Sequence, residues 1–426
     1  MSGVLAFPSH TTPVPKGYRA GTDRVCPPAQ TLARVRPHLS RMGITRIANV
    51  TGLDHIGIPV VMVCRPNSRA LAVAQGKGTT LDAAKASGVM ESIETYHAER
   101  VHRPLLYGSL HDLEADHRLV DVTRLNQPRD SAFHPDLPLL WVEGFDLIAQ
   151  HHVWVPFEMV HANFTTPRPS GSGCFAQTSN GLASGNHLLE AVTHCLTEVV
   201  ERDAATLWSL RGEAYQRSTR VDLDTVTDPE CRRVLDLLEQ AGMAVAAWEL
   251  TSDVGIPVYM SMFCDRANAS IGLVENYRGY GCHSTHEIAL LRALTEAAQM
   301  RLTIISGSRD DLDPAHYRGR AAKGAPRQSV EWLDHDGTLR TFGDGDRQDF
   351  ATFDEEIDWQ LRRLEAAGIE SAVVVDLTRP EFGLPVARLV VPGLEMAFME
   401  WNYFATGERA RHAQRTRGAQ PTGVSA

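Results

Sequence analysis

The sequence predicts an α/β (α+β) protein of mixed β-sheets and long helices. Short branched apolar runs with strand character recur along the chain, and three long stretches of helical periodicity stand between them. The size agrees, because 426 residues, 43% of them apolar, can bury a large core without staples.

Residues 1–30 are rich in Pro, Gly and Thr and read as an irregular arm; 29–42 read as a short helix ended by Gly43. Ile44–Val50 and Ile58–Cys64 are branched and apolar on either side of a turn-like Gly52–Gly57, which gives two strands, with Arg69–Gln75 a candidate third. Gly76-Lys77-Gly78 punctuates the chain, and Thr79 or Thr80 can cap a helix over Leu81–Arg103. The stretch 104–150 carries no clear pattern. A strand at His151–Val155, a flexible loop over 165–174 and a long helix over Leu188–Arg211 follow. The second half repeats the mixture: a helix near 228–241, strands at 243–250, 257–264 and Ala269–Glu275, then a turn marked by Gly279 and Gly281. A long helix over Thr285–Ile305, another over 353–367 and strands at 371–377 and 386–391 complete it. The polar stretch from Gly407 to Ala426 is expected to be poorly ordered. The expected organisation is an arm with the first helix (1–40), a main body (41–405) and a polar tail (406–426).

Composition excludes several classes. A net charge of -10 argues against nucleic-acid binding, which needs a basic face. The seven cysteines form no CxxC pair and are odd in number, against a disulfide framework or zinc ribbon and for a reducing compartment. Ile58–Cys64, the longest tight apolar run, is far short of the roughly 20 residues of a membrane helix. The N-terminus lacks the basic and apolar regions of a signal peptide, so a cytoplasmic location is expected. There is no GxxxxGK[ST] phosphate loop and no HExxH zinc motif. The glycine strings at Gly171–Gly173 and Gly279–Gly281 tempt a dinucleotide reading, but the first follows a Pro-rich loop, not a strand.

The helix over Leu188–Arg211 is the most informative element. Glu190, His194, Glu198 and Glu201 fall on one stripe at about 100° per residue, opposite Val192, Cys195, Leu196, Val199 and Val200. An exposed acidic stripe normally interleaves Lys or Arg, and this one does not. Two other helices share the feature. Ser87, Glu91 and Glu94 lie one turn apart after Lys77, and Arg292, Glu296 and Gln299 do the same after Gly281. Either these are solvated acidic faces or they meet in one cavity. Carboxylates gathered from several helices are how a hard divalent cation is held, with arginines and Lys77 as the complementary donors. His194 faces the carboxylates as a proton relay or a hydrogen-bonded partner. Cys195 reads as core, and Cys282 as a thiol beside the site.

The stretch SNGLASGNHLLEAVTHCLTEVVERDA (179–204) closely resembles the signature of the YcaO superfamily. ITRIANVTGLDHIGIPV (44–60), GKG (76–78), SGVMESIETY (87–96), GYGCHSTHEIALLRALTEAAQMRL (279–302), SGSRDDL (306–312) and GLPVARLVVPGLE (383–395) resemble its other blocks, in order. The resemblance implies the YcaO fold, with long helices enclosing an ATP-binding cavity, and an ATP- and Mg2+-dependent enzyme. Carried over residue by residue, it implies Glu91, Glu94, Glu198, Glu201 and Glu296 as magnesium ligands and Ser184, Asn186 and Glu190 as nucleotide contacts. Arg202 and Arg292 become phosphate contacts, with Lys77 and Ser87 as further cofactor-binding positions; Arg292, Glu201 and Arg202 carry the catalytic expectation. The chemistry implied is O-phosphorylation of a peptide backbone amide. The GITR…VTGLD…GIPV block and a tail with a single proline resemble the type that works beside a TfuA partner and forms thioamides. An azoline-forming cyclodehydratase with a separate leader-binding partner is the alternative, and a non-catalytic peptide-binding scaffold the alternative of another class. A precursor peptide or protein substrate and a homodimer complete the expectation.

Overall fold

The computed structural model describes residues 12–266, 277–311, 333, 337–345, 347–396, 405 and 407–417. The arm leads into α1 (Pro28–Val35) and then into β1 (Arg46–Asn49), β2 (Val60–Cys64) and β3 (Val73–Lys77). These strands form one antiparallel sheet, order β1-β2-β3, covered by α2 (Leu81–Ala98). The Thr80 hydroxyl accepts from Ala83 N at 3.2 Å and fixes where α2 begins. Next come β4 (Leu105–Gly108), the short α3 (Leu110–Leu113), β5 (Leu139–Asp146), β6 (His151–Pro156) and β7 (Leu182–Ser184). The 104–150 stretch, patternless in sequence, therefore holds two strands. The long α4 (Leu188–Leu210) follows, then α5 (Glu213–Ser218), β8 (Val221–Asp222) and α6 (Pro229–Gln240).

Strands β9 (Met243–Glu249), β10 (Val258–Asp265) and β11 (Tyr277–Cys282) make a second three-stranded antiparallel sheet, against α7 (His286–Ser306). The chain closes with β12 (Arg340–Thr341), α8 (Phe353–Ala366), β13 (Val373–Asp376), β14 (Val386–Val390) and α9 (Glu408–Arg415). A six-stranded sheet runs β4-β5-β13-β14-β7, with β6 paired to β5. It too is antiparallel, and between named strands of the described residues parallel pairing is confined to β8 and β12. The three larger sheets are thus antiparallel within an α/β (α+β) fold of sheets and long helices, as suits the short connections between β1, β2 and β3.

The glycines expected to mark turns lie within or beside strands. Gly76 is in β3 and Gly281 in β11. A Cβ at Gly76 would sit 2.0 Å from Ala84 O, and one at Gly281 2.1 Å from Ala289 O. Their task is to let α2 and α7 lie directly on their sheets. The two units share one plan. Val60 pairs with Lys77 as Val258 pairs with Cys282, and Thr80 precedes α2 as Thr285 precedes α7.

Helix α4 crosses between the layers. Cys195, Leu196, Val199 and Val200 are buried against Val258, Met260 and Met262 and against Phe353 and Ile357 of α8. Each such side chain contributes roughly 1.5–3 kcal/mol on burial. A second core lies around the six-stranded sheet and the apolar side of α2, including Trp141, Val142, Val373 and Ile93, and a third between α6, α7 and the β9-β10-β11 sheet, including Leu238, Tyr259 and Leu294. Part of the polar tail is ordered. Arg409 of α9 donates to Asp203 at 3.0 and 2.8 Å and to Asp253 at 3.0 and 2.6 Å, and Ala410 and Ala413 are buried. The candidate strand Ala269–Glu275 lies outside the described residues.

Candidate active site

The three helices do meet. Glu91 and Glu94 come from α2, Glu198, Glu201 and Arg202 from α4, and Arg292 and Glu296 from α7. All of them face one another electrostatically: Glu91 and Glu94 with Glu198, Glu201 with Glu296, and Arg202 with Glu198, Glu201 and Glu296. The apolar side of α4 is spent on the core, which leaves its acidic stripe turned to this centre rather than to bulk water.

Each carboxylate has its own hold. Ser184, at the end of β7, donates its N–H and hydroxyl to Glu94 Oε1 at 2.9 and 2.7 Å. The backbone of Gln75 in β3 bonds Glu91, and Tyr280 N in β11 donates to Glu296 Oε1 at 3.2 Å. Lys77 forms an ion pair with Glu296, joining the two units. Glu201 lies 3.9 Å from Arg202. Ser87 is half-buried one turn before Glu91. Asn186 donates to Glu190 at 3.3 Å and accepts from Thr31 at 3.1 Å.

Burial dominates the electrostatics. It pushes the Glu91 carboxyl up to about 7 and that of Glu94 to about 8, against an ordinary 4.5. Glu198 and Glu201 are raised for the same reason, although Arg202 pulls both down. Glu296 alone is lowered, held by Lys77 and Arg202. Like charges crowded out of water raise carboxylate pKa values until a cation joins them. The donor set is all oxygen with phosphate-binding cations alongside, which is the chemistry of Mg2+ with a polyphosphate. The residues fit that group.

Two cationic residues here were not singled out from sequence. Arg24 belongs to the arm, and its Nε lies 3.7 Å from Glu190 Oε1 while Val25 N donates to Glu190 Oε2 at 2.9 Å. The irregular arm gave no pattern from which to read this. It is anchored by Lys16, whose Nζ lies 2.6 Å from Asp23 and 2.8 Å from Glu356 with His283 beside them. The ammonium closes a group of three that could otherwise have offered ligands to a metal. Arg388 is the second: a charge inside the apolar run Val386–Val391, and that oddity was a usable signal.

Other expectations resolve. Arg292 donates to His194 Nε2 at 2.5 Å and to Cys282 O at 3.1 Å, and desolvation with the Arg292 charge keeps the His194 imidazole well below its ordinary pKa. His194 is therefore a neutral orienting partner for Arg292. Cys282 is fully buried and its thiol pushed well up by burial, unlike a redox-responsive cysteine. In the loop at 171–173 the amides a phosphate would need are taken: Glu158 accepts from Gly173, Cys174 and Phe175 N at 2.6, 3.0 and 2.9 Å.

Residues 75–395 match the family described as YcaO cyclodehydratase, ATP- and Mg2+-binding. The chain belongs to the YcaO family. An uncharacterised protein from the tfuA 3' region of Rhizobium leguminosarum bv. trifolii is 38% identical over 394 residues, 91% of this chain and 92% of that protein. Among solved structures, a heterocyclase in complex with substrate and cofactor is similar with a TM-score of 0.75 and 22% identity, over 94% of this chain and 56% of the other. The YcaO from Methanopyrus kandleri bound with AMPPCP and Mg2+ is similar with a TM-score of 0.69 and 24% identity, over 91% of this chain and 99% of the other. Both support the YcaO fold. ATP and Mg2+ are the cofactors that go with the family. No helix among the described residues is long and apolar enough to cross a membrane.

Proposed function

We propose that this YcaO protein activates a peptide backbone amide with ATP and Mg2+ and converts it to a thioamide, with sulfur delivered by a TfuA-like partner. The cluster of carboxylates from three helices carries the ATP half of this reading. The relative from the tfuA 3' region supports the choice of branch. Glu91, Glu94, Glu198, Glu201 and Glu296 would offer oxygens to Mg2+. Ser184, Asn186 and Glu190 would orient the nucleotide, and Arg202, Arg292 and Lys77 would meet its phosphates, Arg as a fork and Lys as a point charge. Ser87, one turn before Glu91 on α2, would assist. Arg24 would add a further positive charge from the arm.

An amide carbonyl is a weak electrophile with a poor leaving group. Bound MgATP would supply the phosphoryl group that carries the former amide oxygen away as phosphate, once hydrosulfide has added to the carbonyl carbon; loss of the sulfhydryl proton then leaves C=S. The chain's own part is electrostatic. Arg292, oriented by neutral His194, and Arg202, paired with Glu201, offset the charge that develops on the transferring group.

The test incubates the full chain with a candidate precursor peptide, a TfuA-like protein, ATP, Mg2+ and sulfide, and follows peptide mass and ATP together. Exchange of one oxygen for one sulfur is expected. Loss of water instead would favour azoline formation, the second reading, which the family description as a cyclodehydratase supports. ATP left unconsumed with an unchanged peptide would sink both readings and leave a binding scaffold.

A further inference from the structure

A small cavity lies against α4 beside Glu198. It is lined by Met159, Asn180, Val199, Arg388, Leu389 and Met396, among others, and its volume is ≈ 20 Å³. That is room for about one water-sized ligand, far too little for a phosphate or a nucleotide.

Two of its residues carry unmet hydrogen-bonding capacity. Arg388 stands in the middle of β14, 2% exposed, and its Nε donates to Met159 O at 2.9 Å. Its Nη1 is buried and donates to nothing, and no carboxylate among the described residues lies within 4.0 Å of the guanidinium. Asn180 Oδ1 is also buried without a partner. A buried guanidinium nitrogen is costly unless an anion or acceptor meets it. The cavity also adjoins the ATP site. The residue after Asn180, Gly181, bonds Glu198 through its backbone, and the Arg388 charge acts on Glu198.

The vacant groups specify the ligand. Arg388 Nη1 calls for an acceptor with negative charge. Asn180 Oδ1 calls for a donor. The walls mix two methionines and several aliphatic side chains with Asn126, Thr178 and Asn180, and the two thioethers are soft neighbours for sulfur. A halide satisfies the arginine and not the asparagine. A water can meet both but brings no charge; hydrosulfide, which accepts through its charge and donates through S–H, meets both and offsets the guanidinium charge.

We propose that this cavity seats the sulfur nucleophile, a hydrosulfide ion held between Arg388 Nη1 and Asn180 Oδ1 beside the carboxylate cluster. The identity of the ion rests on the thioamide reading; the need for a small anion rests on Arg388.

The test has two arms, so that the site and the reaction can fail separately. In the first, sodium hydrosulfide is titrated anaerobically into the full chain by calorimetry, without ATP or peptide. Saturable binding is expected for the wild type, weakened about tenfold or more in Arg388→Met and in Asn180→Ala, in line with loss of a charged or neutral hydrogen bond. No binding by the wild type, a water filling the cavity instead, overturns the proposal, as does equal binding by the variants. In the second arm, Asn180→Ala raises the KM for sulfide about tenfold in thioamide formation while the KM for ATP holds within about twofold. Thioamide formation with an unchanged KM for sulfide removes the site and leaves the reaction. Binding that depends on Arg388, with no thioamide formed from any peptide, supports the site and removes the reaction. If Arg388→Met does not fold, Asn180→Ala, which deletes an unpartnered acceptor, carries both arms.

Discussion

The unit β1-β2-β3-α2 and the unit β9-β10-β11-α7 are two versions of one arrangement, and their differences build the site. In both, a glycine in the last strand lets the helix lie on the sheet, a threonine precedes the helix, and a glutamate on its third turn is held by strand backbone. Gly76, Thr80 and Glu91 correspond to Gly281, Thr285 and Glu296. Around them the charges diverge. Where the first unit has Ser87 and Glu94, the second has Arg292 and Gln299; where the first has Lys77, the second has buried Cys282. Lys77 then reaches across to Glu296, and Gln299 to Gln75 at 3.2 Å. One backbone plan used twice supplies two carboxylate positions, and divergence adds a second carboxylate and a lysine to one side and an arginine to the other. That is what an anionic nucleotide bridged by a cation needs.

The comparison can be broken most easily at Ser87 and Arg292. If the two units divide the labour as their charges suggest, Arg292→Ala lowers ATP turnover by about 100- to 1,000-fold with the fold intact, while Ser87→Ala at the matching position costs about tenfold or less. Equal losses, read by phosphate release and a thermal melt, would refute the division. The shared glutamates should behave alike. Glu91→Gln and Glu296→Gln each lower turnover by about 10- to 100-fold, and one silent member of the pair would break the equivalence.

The shared glycines test the scaffold apart from chemistry. Gly76→Ala and Gly281→Ala should each destabilise by about 1–3 kcal/mol in urea unfolding, since each new methyl meets helix backbone. A variant as stable as the wild type would mean that the close approach is not required there.

The smallest effect is one of pH. The carboxyls of Glu91 and Glu94 sit at about 7 and about 8, above the ordinary 4.5. Between those values the folded chain holds more protons than the unfolded one, so stability falls as pH rises through this window. Without Mg2+, the melting temperature should decline between about pH 5 and 8. Glu94→Gln should flatten the decline, Gln299→Glu should steepen it, and Mg2+ should stabilise most at the upper end. A melting temperature independent of pH would argue that these carboxylates are not crowded.

Much of this was legible in sequence for a local reason. The stripe of Glu190, His194, Glu198 and Glu201 follows from helical periodicity, and the absence of basic partners within it already pointed away from solvent. Strands β2, β9 and β10 and the long helices announced themselves by length and apolar pattern. Elements that depend on distant partners did not. Strands β4 and β5 were invisible within 104–150, because their burial comes from β6 and β13. The tail helix α9 has no apolar stripe to read, and its order comes from Arg409 meeting Asp203 and Asp253.

By itself the sequence determined the fold class, the oxygen-rich character of the site and which helices bear it, since these follow from residue type and a period of 3.6. Only tertiary structure decided that Gly76 and Gly281 belong to strands, that the arm brings Arg24 to Glu190, and that Arg388 is enclosed with no carboxylate within 4.0 Å among the described residues. Those facts depend on which backbones approach closely and which charges share a low-dielectric space. Contacts between residues hundreds of positions apart are written in no local pattern.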